Sequence, residues 1–304
     1  MCKNHRNKFA ATYRDGPLTK GSDVILRLLS AGARAVLAAL LIAMPALFLP
    51  RVSADLGQII ALIALLGALL TFVEYSSVYP SVVDFRSAPP FNRLRFGAFF
   101  LAVGAMTLIC RGTIYPTAAT QSVSALGHFA GGLLDVPFSP VRLLTLVLSD
   151  DAPTATLTLL RYCAGVSLMI GLLCLCLFAI LVRLFNWPLS RGAFNFWVNL
   201  PMFEPTTGGD VIARLKREAG INIVLGSLLP FLVPAMLKVI SQYFVPITFA
   251  EHHPLIWMVA AWALIPASMI MRGIALLRIA DIVEAKRKRA YAAAQNQEDG
   301  LQVA

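Results

Sequence analysis

Charge is scarce in this chain. Asp, Glu, Lys and Arg make up 14% of it, with 16 acidic residues against 26 basic ones. A soluble domain carries about a quarter charged residues, so this composition excludes an ordinary water-facing globule. Metal chemistry is poorly provided for: five cysteines form no CxxC pair and no zinc spacing, and four histidines supply no pair inside two apolar runs for a b-type haem. No GxxxxGK[ST] run follows a strand pattern, which removes the P-loop. No set of nucleophile and base stands out, and no segment has the look of a soluble nucleotide-binding domain.

What is present is apolar. Hydrophobic residues make up 58% of the chain, gathered into runs over about 33–49, 56–79, 96–115, 156–185, 220–241 and 255–277. About twenty apolar residues cross a bilayer, and a chain in hydrocarbon must satisfy its backbone internally, which makes such spans helices. The fold expected is therefore all-α: a polytopic membrane protein of six transmembrane helices, with interfacial helices in the outside loop and cytoplasmic termini. Residues 1–30 read as a basic tail, 31–279 as the membrane domain, and 280–304 as a basic and then disordered tail. Val52-Ser53-Ala54 resembles a signal-peptidase site, but the basic leader before it is long, and the first run is read as an uncleaved span. The fourth run is long enough to tilt or to project beyond the bilayer.

The basic residues assign a direction to the threading. Seven fall between Lys3 and Arg34, three are Arg86, Arg93 and Arg95, five lie in Arg183–Arg217, and six run from Arg272 onward. The other face holds only Arg51, Arg111, Arg142, Arg161 and Lys238. The positive-inside rule then places both termini in the cytoplasm, in a bacterial-type inner membrane. Lys286-Arg287-Lys288-Arg289 reads as an anchor to anionic headgroups, with the bilayer and not nucleic acid as partner. On the outside, Val123, Leu126, Phe129, Leu133 and Leu134 recur at helical spacing. Gly131 and Gly132 should weaken that helix, and Val141–Leu148 is too short to span; both segments are expected at the outer interface. The residues after Arg289 read as a frayed tail. No internal repeat is strong enough to use.

Several motifs invite chemistry and are better explained by structure. Thr206-Thr207-Gly208-Gly209-Asp210 reads as a helix start capped by Asp210 or Thr207, not a phosphate loop. Asp150-Asp151 before Pro153 reads as capping of the fourth span, not as a magnesium pair. Glu251-His252-His253, with His128, reads as a solvated turn, since a metal needs three or four placed ligands. Cys174 and Cys176 read as small buried hydrophobes. Cys110 and Cys163 fall near one face, and their pairing stays open.

Glu74 is the only acidic residue clearly within a run, which makes it a functional candidate. Arg34 lies at similar depth on the antiparallel first span, so a structural ion pair between them is expected ahead of a proton or cation relay. Pro230, Pro234 and Pro266 sit mid-span and can act as hinges. Phe194, Phe196, Trp197 and Phe203 form an aromatic elbow between the fourth and fifth spans, read as a docking surface for a partner. No cofactor is expected. The leading functional expectation is a non-catalytic subunit, scaffold or assembly factor that contacts other membrane proteins. A transporter or channel component using Glu74 and the proline-kinked spans comes second, and a membrane-embedded lipid-modifying enzyme third.

Overall fold

A computed structural model describes residues 17–50, 52–149, 151–185, 187–188, 199–201, 203, 210–244 and 247–302. Every regular element among them is a helix: α1 (Pro17–Phe48), α2 (Ala54–Ser76), α3 (Phe91–Gly112), α4 (Ala118–Leu134), α5 (Pro140–Thr145), α6 (Thr154–Leu184), α7 (Val211–Tyr243) and α8 (His252–Gln302). Six of these, all but α4 and α5, are long and apolar enough to cross a membrane. The chain is a multi-pass membrane protein.

The helix starts follow local chemistry. Ser53 accepts from the amide of Leu56 at the head of α2, with Asp55 in the first turn. Thr117 and Thr120 cap α4 reciprocally. Ser139 caps α5 ahead of Pro140, and Asp210 caps α7 by accepting from Ile212. The expected capping of α6 by acidic residues is corrected: Pro153 stands at the cap with no side-chain bond, and Asp151 is exposed ahead of it. Asp150, Thr207 and the glycine pair lie outside the described residues.

Two ends of the helices run longer than polarity suggests. α1 begins at Pro17, well before the apolar run, and α8 continues to Gln302 where fraying is expected. The reason in α8 is propensity: between Arg289 and Gly300 no breaker occurs, and alanines dominate Ala290–Ala294.

The packing comes in three parts. α1 and α2 form a hairpin, and among the helices α2 packs on α1 alone. α7 and α8 form a second hairpin, in which Gly226 meets the backbone of Pro266 and Gly273 meets that of Ala219. Such small residues let helices approach where lipid supplies no hydrophobic drive. Between the hairpins, α3 and α6 enclose the main core, with Met106, Ile109, Leu160 and Val166 fully or almost fully buried. α4 lies against α6, and there Gly131 does the opposite of what its helix propensity implies. A Cβ on Gly165 would strike the backbone of Gly131 and Ala130, so this glycine pair makes the close approach. In the adjoining core, Cys110 of α3 and Cys163 of α6 are free, fully buried thiols. Cys176, expected to be buried, is exposed on α6.

A second, smaller core sits at the end where α2 joins α3. Phe85 is 0% exposed and stacks with Phe91 and Trp187 at centroid distances of 4.6 and 5.6 Å. Leu200, Leu215 and Leu276 join it. The N-terminal half of α1 and the C-terminal half of α8 lie at this same end.

Candidate functional site

Glu74 is the natural starting point, and its surroundings revise the expected pair with Arg34. The carboxylate accepts from the backbone amides of Ser81, Val82 and Val83, each at 3.1 Å, and from the Ser81 hydroxyl. Arg34 donates instead to the carbonyl of Ser30 at 2.7 Å and lies 4.7 Å over the Tyr75 ring. The physical reason is local: the chain turns back after α2 and presents three successive amides, which no single arginine matches. The helix end is closed from the other side by Arg86, whose guanidinium donates to the carbonyls of Glu74, Ser77 and Val78. Burial pulls Arg86 below its usual pKa, Arg27 adds repulsion, and Glu74 opposes both. An arginine so placed still carries its charge at neutral pH. Glu74 and Arg86 together fold the turn over the end of α2.

The same loop is anchored from the distant elbow. Ser87 donates through amide and hydroxyl to Asn199 Oδ1, at 3.0 and 2.9 Å, and the Phe85 amide donates to the Asn199 carbonyl at 2.7 Å. Phe203, expected on a docking surface, is only 6% exposed and lies under the Arg214 guanidinium at 4.9 Å. Its ring fills this protein's own second core, so it offers no free surface. Phe194, Phe196 and Trp197 lie outside the described residues.

With the loop held in place, a cleft of about 1150 Å³ opens between α1, α2, α3 and α8. Ser30, Ala33, Arg34, Leu37 and Ala38 line it from α1, at the three- and four-residue spacing of one helix face. Ile265, Ser268, Met269 and Arg272 do the same from α8, and Thr71 and Tyr75 close it from α2. From α3 come Asn92, Arg93, Arg95, Phe96 and Phe99. Among the described residues, five arginines (34, 86, 93, 95 and 272) share the cleft with a single acidic side chain, Asp84.

One oxygen of that acid is already engaged, while its Oδ1 is buried with no hydrogen-bond partner among the described residues. Arg272 Nε pairs with Asp84 Oδ2 at 2.6 Å, and its Nη2 with Glu218 Oε1 at 2.6 Å, tying α8 to the α2–α3 loop and to α7. Arg86 is committed to carbonyls. Arg95 is different: its Cζ stands 5.3 Å from the Phe91 ring, and its Nε is buried with no hydrogen-bond partner among the described residues. Arg34 and Arg95 thus face the cleft with charge to spare, and Tyr75 lies beside them. Sequence reasoning missed Arg95 and Arg272 as site residues, because they were weighed only as topology signals at span ends. Their distance into the helices was the available clue.

The remaining candidates do not gather. Among the described residues no three His, Cys, Asp or Glu side chains stand together as ligands for an ion. His128 lies edge-on to Tyr162 at 5.6 Å, and Glu251 is an exposed residue ahead of α8. Asp135 is paired with Arg161 at 2.7 Å and Arg142 at 3.4 Å at the α4–α5 end. Pro230 and Pro234 lie within α7 and Pro266 within α8. Proline 234 has no N–H to give to the carbonyl four residues back, and Trp262 Nε1 donates to that Pro230 carbonyl at 2.9 Å. Trp262 and Pro266 also border an apolar cavity of about 320 Å³ with Leu144, Val233 and Phe249. No protein-family model, curated protein or solved structure matches the chain.

Proposed function

We infer that this is a non-catalytic component of a membrane assembly, and that its working site is the arginine cleft, where it holds an anionic ligand. The observation that carries the reading is the imbalance of charge in one cleft. Arg34, Arg93 and Arg95 face a cleft whose one acid among the described residues, Asp84, already gives its Oδ2 to Arg272. One carboxylate shared among these guanidiniums leaves an excess of positive charge, which is costly to keep at the membrane boundary. Planar donors of this kind suit phosphate or carboxylate oxygens. The site offers positioned charge and, among the described residues, no metal-ligand cluster, which favours binding over chemistry.

The positive-inside distribution supports cytoplasmic termini in an inner membrane, so that the cleft faces the cytoplasmic leaflet. The α4–α5 segment then belongs at the outer interface. A transport component is the second reading. Since Glu74 is taken up by the turn, that reading now leans on Pro230, Pro234 and Pro266 beside the apolar cavity, where a hinge would have room to move.

The test uses purified full-length protein in zwitterionic nanodiscs. Doping with an anionic lipid should raise the thermal midpoint, and the rise should vanish in the Arg34→Gln/Arg95→Gln double variant. No stabilisation by any anion, lipid or soluble, would overturn the reading.

A further inference from the structure

We propose that the ligand of the arginine cleft is a phosphate-bearing amphiphile from the bilayer, which enters sideways between α1 and α8 and lays an acyl chain along them. This rests on the anion reading above and names its ligand class.

The cleft is graded along its depth. At the loop end stand Ser30, Arg34, Asn92, Arg95 and Arg272; deeper along the same helices stand Leu37, Ala38, Phe99 and Ile265. Leu37 is 44% exposed and Ile265 50% exposed, so the two apolar walls have open side chains across the gap. A water-soluble anion has no use for that lower half. An acyl chain does, because it replaces bilayer lipid at the same depth.

The level of the charges fits a headgroup. At about 1.5 Å per residue, Arg34 stands about 21 Å along α1 from Phe48, Arg95 about 26 Å along α3 from Gly112, and Arg272 about 30 Å along α8 from His252. The hydrocarbon core is about 30 Å thick, so Arg272 lies at the boundary where lipid phosphates sit. Arg95 and Arg34 start about 4 and about 9 Å inside it, where a long arginine side chain still reaches up to a headgroup. The way in is open as well: α1 packs on α2 and α3 and barely reaches α8. A lipid can therefore slide from the leaflet without leaving it. Phosphate is favoured over carboxylate because Arg34 and Arg95 approach from different helices, α1 and α3, and a tetrahedral group presents oxygens to both.

The experiment separates the amphiphile from a free anion. Full-length protein in detergent is given radiolabelled dioleoyl phosphatidic acid or glycerol 3-phosphate. Retained lipid is read after gel filtration and bound glycerol 3-phosphate by equilibrium dialysis. Ala38→Trp and Ser268→Phe fill the apolar half from α1 and α8 and leave the arginines in place. Each should cut lipid retention at least tenfold while changing glycerol 3-phosphate binding less than twofold. Arg95→Gln should lower both. Wild-type lipid retention in both filling variants would overturn the amphiphile while leaving the anion reading intact. If the wild type binds neither compound, both fall. Preference for glycerol 3-phosphate over the lipid would identify a soluble ligand and also overturn the proposal.

Discussion

Glu74 is held by four donors from one short turn, and a carboxylate is the only side chain that accepts from all of them. Replacing it by Gln puts an amide NH₂ against backbone N–H groups, where two donors meet. Hydrogen bonds to a charged group contribute about 1.5–3 kcal/mol, and Glu74→Gln is expected to cost stability in that range, read as a lowered thermal midpoint in detergent. Arg34→Gln, which breaks no bond to Glu74, should leave the midpoint nearly unchanged. Equal losses in the two variants would restore the ion pair that similar depth on antiparallel helices first suggested. A glutamate side chain reaches far enough to choose among neighbours. The choice here was made by Ser81–Val83, seven to nine residues downstream, which no depth count registers.

At the scale of elements, two seams decide how the helices meet. In the α4–α6 seam a methyl at position 165 has no room, whereas one at Gly132 meets nothing within 4 Å. Gly132→Ala should therefore be neutral or stabilise by about 0.5–1 kcal/mol through helix propensity. Gly165→Ala should destabilise by about 1–3 kcal/mol, the usual cost of overpacking. Thermal unfolding of the pair checks both signs at once. In the α7–α8 seam Trp262 satisfies the carbonyl that Pro234 leaves without a partner. Trp262→Phe keeps the ring and removes the donor. A loss of about 1–3 kcal/mol is expected from the orphaned carbonyl, and an unchanged midpoint would show that the proline kink finds its partner elsewhere. Proline positions were plain in the sequence. Their compensation was not, because the indole comes from another helix 28 residues on.

At the scale of the whole molecule, Arg272 joins α8 to both the α2–α3 loop and α7. Arg272→Gln strips Asp84 and Glu218 of their shared cation. The cost should stay below the about 3–5 kcal/mol of a fully buried pair, since these groups keep some exposure. It should also loosen the loop that walls the cleft, read as faster proteolysis between α2 and α3. The threading is checked with reporter fusions: a fluorescent domain after Ala304 should mature, and an alkaline phosphatase joined at Glu251 should be active. The opposite result would reverse the side assigned to the cleft.

The sequence by itself determined the class of fold and the six spans, with boundaries that the helices overrun chiefly at Pro17 and Gln302. Hydrocarbon permits few backbone solutions, so apolar length alone selects helices. The site was scarcely legible. Arg34 was named for a partner it does not take, Arg95 and Arg272 were counted as signposts, and Phe203 was placed on a surface it does not reach. Only the tertiary structure decided these, because long charged and aromatic side chains pair with whatever distant chain arrives beside them. In this protein that is a turn closed on Glu74, an elbow tied through Asn199, and two hairpins that stand apart far enough to leave a cleft.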